Sequence, residues 1–568
     1  MFMRTIGRGG IKPFIFCALS FAVPFAAGQT PVAPDGDSHA KPATEAPASN
    51  SEIERLRQMI LEQQRQIDEL KRAAAQKGQD STVAAKPDAS AIAAPSRGVG
   101  EIASTAPILP PLPAATTLGT PLPLPQAAAA DQTPSSPLQI RVGDASITPV
   151  GFMDMTNTWR STNSGASLAT NFGNFPYSNT PTGNLTENRM SAQNSRLGLR
   201  VDATAKGAHV LGYYEGDFVG FAPTNSQVTS NSMTYRLRLY WINVRKGKWE
   251  FQAGQSWSLL VPNRKGLSAL PGDLFYGQEF DVNYLNGLTW GRLPGYRLIG
   301  HPSDKVTWGL SLENSEQYIG GSGGASTSTL PAAFAGNNFN NQFNNGNTNT
   351  SVPNLLPDII AKIAFEPSSH FHIEIAGIER TFKTYNPATQ QHFTKAGGGA
   401  SLNLTWEVVK NLRLVSNNFW SDGGGRYLFG QAPDVIVRAD GSPSPVHSGS
   451  MIQGIEAQKG NLLLYAYYGG ILIGRDSAIE TNGKLIGWGY DGASNAQNRT
   501  IQEGTFGLIH TLWKDSKYGA LQWMFQYAYF TRSPYNFVAS GTPNNAHQHA
   551  VWFNLRYVLP GTAPTIKY

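Results

Sequence analysis

The sequence predicts an all-β fold, a transmembrane antiparallel β-barrel of about 16 strands behind an N-terminal α-helical coiled coil. Three observations predict it. The first is composition. Only 15% of the 568 residues are charged and 11% are aromatic, against roughly 25% charge in an ordinary soluble domain. A chain so poor in charge hides its surface in a large core or in lipid. Yet beyond the N-terminus no apolar run reaches the roughly 18 residues of a membrane helix. The longest, Leu462–Gly474, contains Tyr465, Tyr467 and Tyr468 and is broken by Gly469-Gly470. The second observation is a period of two. In Arg196–Thr204, Leu197, Leu199, Val201 and Ala203 share one face while Arg196, Arg200, Asp202 and Thr204 share the other, as a pleated strand requires. The segments beginning at Val306, Ala400 and Leu521 repeat the pattern. The third is rhythm: connections alternate strictly between short and long. Lys206-Gly207, Lys246-Gly247, His301–Asp304, Pro367–Ser369, Lys410-Asn411 and Lys514–Lys517 are short; 161–194, 259–295, 315–357, 421–449 and 470–499 are long. Outer-membrane barrels have this asymmetry, with tight periplasmic turns, long external loops and an even strand count. A soluble sandwich or propeller has no reason to keep its long loops at one end.

In chain order, Arg4, Arg8 and Lys12 precede an apolar stretch from Phe14 to Phe25 and the small residues Ala26-Ala27-Gly28. This is the pattern of a secretory signal peptide over 1–28. The only cysteine, Cys17, lies within it, so the secreted chain is expected to carry no disulfide and no cysteine metal site. Residues 29–50, rich in proline and alanine, read as disordered. Residues 51–73 change character. Ile53, Leu56, Ile60, Gln63, Ile67 and Leu70 fall on alternating steps of three and four, the seam of a coiled coil in which Gln63 fixes register. Ser51 and Glu54 form a capping box at its start; the alternative is a single amphipathic helix on a surface. Three heptads are marginal alone, so assembly needs chains held close by something else. Residues 74–137 form a Pro/Ala-rich linker, extended and semi-rigid. Residues 138–568 carry the barrel. Trp159, Trp241, Trp249, Trp257, Trp290, Trp406, Trp420 and Trp513 sit near strand ends, as interfacial girdles do.

The inner face is expected to hold the charges. Arg196, Arg200, Arg236, Arg238, Arg297, Arg380 and Arg413 fall on polar positions, together with Glu215, Asp217, Glu250, Glu313, Glu374 and Glu407. The positive charges of the signal and the net negative charge of residues 31–137 cancel, so the barrel keeps the whole +6 of the chain. A basic lumen concentrates small anions, and guanidinium groups suit carboxylates; alternatively the arginines pair with neighbouring acids and stiffen the wall. Charge this sparse, spread along secreted strands, excludes a nucleic-acid partner. His370/His372 and His547/His549 are His-x-His pairs without a third ligand nearby, which argues against a metal site. Neither HExxH nor a Walker loop is present, and no enzyme activity or cofactor is expected.

Glu215-Gly-Asp-Phe-Val-Gly, Arg236-Leu-Arg-Leu-Tyr-Trp, Ala253-Gly-Gln-Ser-Trp-Ser and Ser311-Leu-Glu-Asn, in this order, resemble segments of the DcaP-like trimeric outer-membrane porins. Signal, coiled coil and tether before a barrel are also that family's organisation. The resemblance implies a homotrimer of 16-stranded barrels in outer-membrane lipid, a periplasmic coiled-coil extension, and uptake of small anionic solutes, especially dicarboxylates. In porins of this size the third long loop commonly folds inward as a constriction. That implies 259–295 here, with Arg264, Lys265, Asp273, Glu279, Asp281 and Arg292. The mixed charge of this loop and the long Pro-rich tether depart from the family pattern and leave the solute open, as does the tail Pro560–Tyr568 after the last strand. Two other readings stay open: a sugar channel using Tyr213, Tyr240 and Trp552, and a tether contacting the cell wall or a periplasmic partner through 51–73.

Overall fold

The computed structural model describes residues 136–164, 168–220, 233–267, 274–279, 284–321, 326–334, 342–346, 352, 354–536 and 543–560. The expected signal, the coiled-coil seam from Ile53 to Leu70, and the linker as far as residue 135 lie outside the described residues. So do Asp273 and Asp281.

The first barrel strand is Ala145–Arg160, and the second is split into Glu187–Ser191 and Arg196–Ala205, both paired with the first. Then follow Ala208–Asp217, Arg236–Lys246, Trp249–Trp257, Arg292–Ser303, Val306–Glu313, Asp358–Ser368, Phe371–Asn386, Gln391–Val409 and Leu412–Asp422. His447–Lys459, Leu462–Ile473, Asn498–Asp515, Gly519–Pro534 and Ala546–Val558 complete the set of 16. Each pairs antiparallel with its chain neighbour, and Phe152–Arg160 pairs with Ala550–Val558, which closes the sheet. Closure leaves no unpaired edge, the condition for strands to stand in lipid. No helix among the described residues is long and apolar enough to cross a membrane, a statement that says nothing against strands.

The short turns follow from local chemistry. Lys206 and Gly207 both take positive φ, 50° and 74°, the two-residue turn whose twist matches the flanking strands. At the other end the expected strict alternation breaks once. Phe371–Asn386 and Gln391–Val409 remain paired up to Asn386 and Gln391, so only Pro387–Gln390 joins them. These two strands project past the barrel rim and need no long loop to turn.

The register expected for the faces is observed. Leu197, Leu199, Leu310, Leu312, Ile363, Ile375, Leu402, Leu464 and Phe553 are exposed on the outer wall, while Arg196, Arg200, Ser311, Glu313 and Asn403 are buried on the inner one. Trp159, Trp249, Trp406, Trp420 and Trp513 are exposed at strand ends. Trp241 and Trp290 are not part of a girdle. Trp241 faces inward and stacks on Tyr213 at 5.5 Å, and Trp290 is buried in a loop against Phe429. Proximity to a strand end does not set a side chain's face; parity along the strand does.

Candidate functional site

The barrel interior is bridged by the third long connection, which spans 258–291 between its flanking strands. Leu259, Leu260, Leu274, Phe275, Tyr276, Tyr284, Leu285 and Leu288 are all buried in it. Phe275 packs edge-on to Tyr467 at 5.4 Å, and Tyr276 lies 6.1 Å from Tyr465, both on the wall. The first long connection also enters: Phe172 lies 5.4 Å from Tyr284 and 5.6 Å from Phe530.

A loop crossing a lumen has no ladder for its backbone, so its N–H groups need partners. Inward wall acids supply them. Leu259 N donates to Glu313 at 2.7 Å, Asn263 N to Glu374, Gly266 N to Glu366 at 3.2 Å, and Asn286 N to Glu503 at 2.8 Å. Wall amides add two more: Gln526 accepts from Gln278 N at 2.6 Å and Asn417 from Thr289 N at 3.0 Å. Lys362, buried and ion-paired with Glu374, donates to the carbonyl of Val261 at 2.7 Å. The inner wall is therefore a cradle built for this loop.

The arginines singled out by alternation all lie on the inner side, each with an acid. Arg196 is 3.8 Å from Glu215 and lies over the Phe152 ring. Arg238 bridges Glu215 and Asp217, each at 2.7 Å. Arg236 takes Asp217 with two nitrogens, at 2.7 and 3.0 Å. Arg200 grips Asp202 in the same way, and Arg413 reaches Glu456 at 3.0 Å. Arg297 is 3.9 Å from Glu313. Arg380 joins Asp358 at 3.1 Å to Asp434 at 2.8 Å, and Tyr427 donates to Asp358.

Of the loop residues, Arg264 donates to Glu456 on the wall at 2.7 Å and also to the Leu274 carbonyl. Lys265 is exposed and Glu279 fully buried. Arg292 belongs to the strand rather than the loop, because pairing resumes with Trp257 opposite it; its guanidinium lies 5.9 Å from the Trp290 ring. Alternation alone did not single out Arg556, which donates to Asp154 at 2.8 Å and lies over Phe152 at 4.2 Å. Arg532, which holds the first loop through the Phe175 carbonyl, was missed in the same way. Both occupy inward positions, so the signal was present. Glu503 and Gln526 are similar cases.

Tyr240 points outward, 65% exposed, which removes it from any track inside the lumen. His370 pairs with Glu407 and His372 with Glu366. His547 and His549 sit on the outer wall beside Tyr529. Among the described residues no group of three or more His, Cys, Asp or Glu could hold a metal ion.

No family model and no curated protein matches this sequence. Solved structures do match. The outer membrane channel DcaP of Acinetobacter baumannii aligns with a TM-score of 0.52 at 17% identity, over 73% of this chain and 97% of the channel. The chain shares the DcaP fold. An anion-selective porin from Comamonas acidovorans aligns at TM-score 0.41 and 12% identity, over 73% of this chain and all of that one. OmpF of Salmonella typhi aligns at 0.39 and 10%, over 74% and 100%.

Proposed function

We propose that the chain is a passive diffusion channel of the bacterial outer membrane, a homotrimeric porin for small hydrophilic solutes with a preference for anions such as dicarboxylates. One observation carries the reading: a closed barrel with an apolar outer wall has a charged inner wall crossed by an inward loop. An apolar wall belongs in lipid, and a charged lumen belongs to a solute path. It is a channel rather than an enzyme, because the inward acids and histidines described above are engaged in ion pairs and loop anchoring. The anion preference rests on the barrel's net +6, since the inward arginines have acids beside them. Planar-bilayer recording in a salt gradient tests it: a reversal potential on the anion side is expected, and a cation-selective one overturns the preference. The N-terminal signal sends the chain to the envelope, and residues 51–73 form a periplasmic coiled coil able to contact the cell wall. Deleting 29–137 tests that arm; a loosened envelope with unchanged permeability would make tethering its role.

A second reading, a sugar channel, is favoured by the inward Tyr213–Trp241 stack and the buried Trp552. Liposome swelling with neutral sugars against dicarboxylates separates the two.

A further inference from the structure

Glu279, in the inward loop, is 0% exposed, and Glu503, on the strand Asn498–Asp515, is 1% exposed. Their carboxyl groups lie within hydrogen-bond reach of each other. One oxygen of each is engaged: Gln526 Nε2 donates to Glu279 Oε1, and Asn286 N donates to Glu503 Oε2. Glu279 Oε2 and Glu503 Oε1 receive no other donor. Among the described residues, the elements packed around the pair offer no cation. The wall presents Thr505, Gln526 and the Tyr465 phenol, the loop itself presents Tyr284, and the first loop presents Thr170, which donates to the Glu279 carbonyl at 2.6 Å. Two buried carboxylates without a cation cannot both stay ionised. A single proton between them turns the repulsion into a hydrogen bond.

We propose that Glu279 and Glu503 form a proton-sharing latch that seats the inward loop, so that the lumen is closed at acid pH and opens as pH rises. The proposal rests on the channel reading. Glu503 holds the loop at two points, the Asn286 amide and the Glu279 carboxyl. It sits in the ladder between Gly469 and Phe530, so the loop is the side that moves when the proton leaves. Burial pushes the Glu279 carboxyl up to about 7, whereas a released loop would return it to the ordinary range near ~4.3. The sign follows. The seated loop holds the proton more tightly, keeps its full advantage below the released value, and loses it as pH climbs through the seated one.

The test is conductance of the reconstituted full chain between about pH 4 and about pH 9, which bracket the two values. Open probability is expected to rise with pH by at most about tenfold per unit, the slope of a one-proton linkage. Glu279→Gln carries a permanent donor toward Glu503 and is expected to stay closed across the range. A flat wild-type profile, or a Glu279→Gln variant that keeps the wild-type profile, overturns the latch. Conductance at no pH would instead count against the channel reading, and hydrogen exchange at the Asn286 amide then decides the latch on its own. Protection lost with pH faster than the base-catalysed trend supports the latch, and unchanged protection overturns it. The same exchange measurement on the wild type serves if the variant does not fold.

Discussion

Arg380 shows how a lumen charge is held. Its guanidinium lies between Asp358 and Asp434, 5.2 Å from the Phe382 ring and 5.4 Å from that of Tyr427, and all three charged groups are buried. Arg380→Gln would leave two carboxylates buried together, so a loss of about 3–5 kcal/mol is expected. It would appear as a clear fall in the temperature at which the folded barrel loses its resistance to SDS. Arg200→Gln is the contrast. Its pair with Asp202 is less enclosed, with side chains 10% and 23% exposed, and should cost clearly less than Arg380→Gln does. Equal losses for the two would show that burial is not what matters. Alternation placed both arginines on the inner face from sequence, because parity is local. Their partners were less legible. Asp202 lies two positions along the same strand, but Asp434 comes from a loop and Asp154 reaches Arg556 only when the first and last strands close the barrel.

The inward loop is the element on which the channel reading turns, and its seat depends on one glycine. Gly287 has φ +91°, and a Cβ there would stand 2.5 Å from the Met451 carbonyl oxygen and 2.9 Å from that of Gly470. The loop therefore lies directly against two strands of the far wall, at a distance only glycine permits. Gly287→Val adds both the clash and a disfavoured backbone, a cost on the order of 1–3 kcal/mol borne by the loop rather than the ladder. Higher conductance and faster proteolysis within 258–291 are expected, with the barrel's SDS resistance unchanged. Unchanged conductance would show that the loop does not limit flow. The loop's position in the chain was legible as the third long connection. Its path was not, because irregular backbone has no period to read. The acids that receive its N–H groups lie on strands far along the chain, where sequence shows only that they face inward. The tip Pro387–Gln390 was misjudged for a related reason: how far two strands project past the rim is set by their pairing, not by a turn signal.

On the scale of the whole molecule, the charge balance changes the argument for selectivity. Sequence alone suggested arginines reaching for carboxylates. In the fold, Arg196, Arg200, Arg236, Arg238, Arg297, Arg380 and Arg413 each have an acid beside them, while the barrel region still carries the net +6. Exposed cations include Lys206, Lys246 and Lys248 at the short-turn end and Lys265 on the inward loop. Selectivity from such a distribution is a property of the summed field rather than of a binding site, and a field is screened. Raising salt from about 0.1 M to about 1 M shortens the Debye length from about 10 Å to about 3 Å, so the proposed anion preference, read as a reversal potential, should collapse over that range. Solute occupying a discrete guanidinium site would instead compete with chloride and saturate, and its preference would outlast the screening. Reversal potentials at matched salt ratios and rising total salt distinguish the two. A preference that survives at the high end would mean that at least one lumen arginine exchanges its acid for the passing anion.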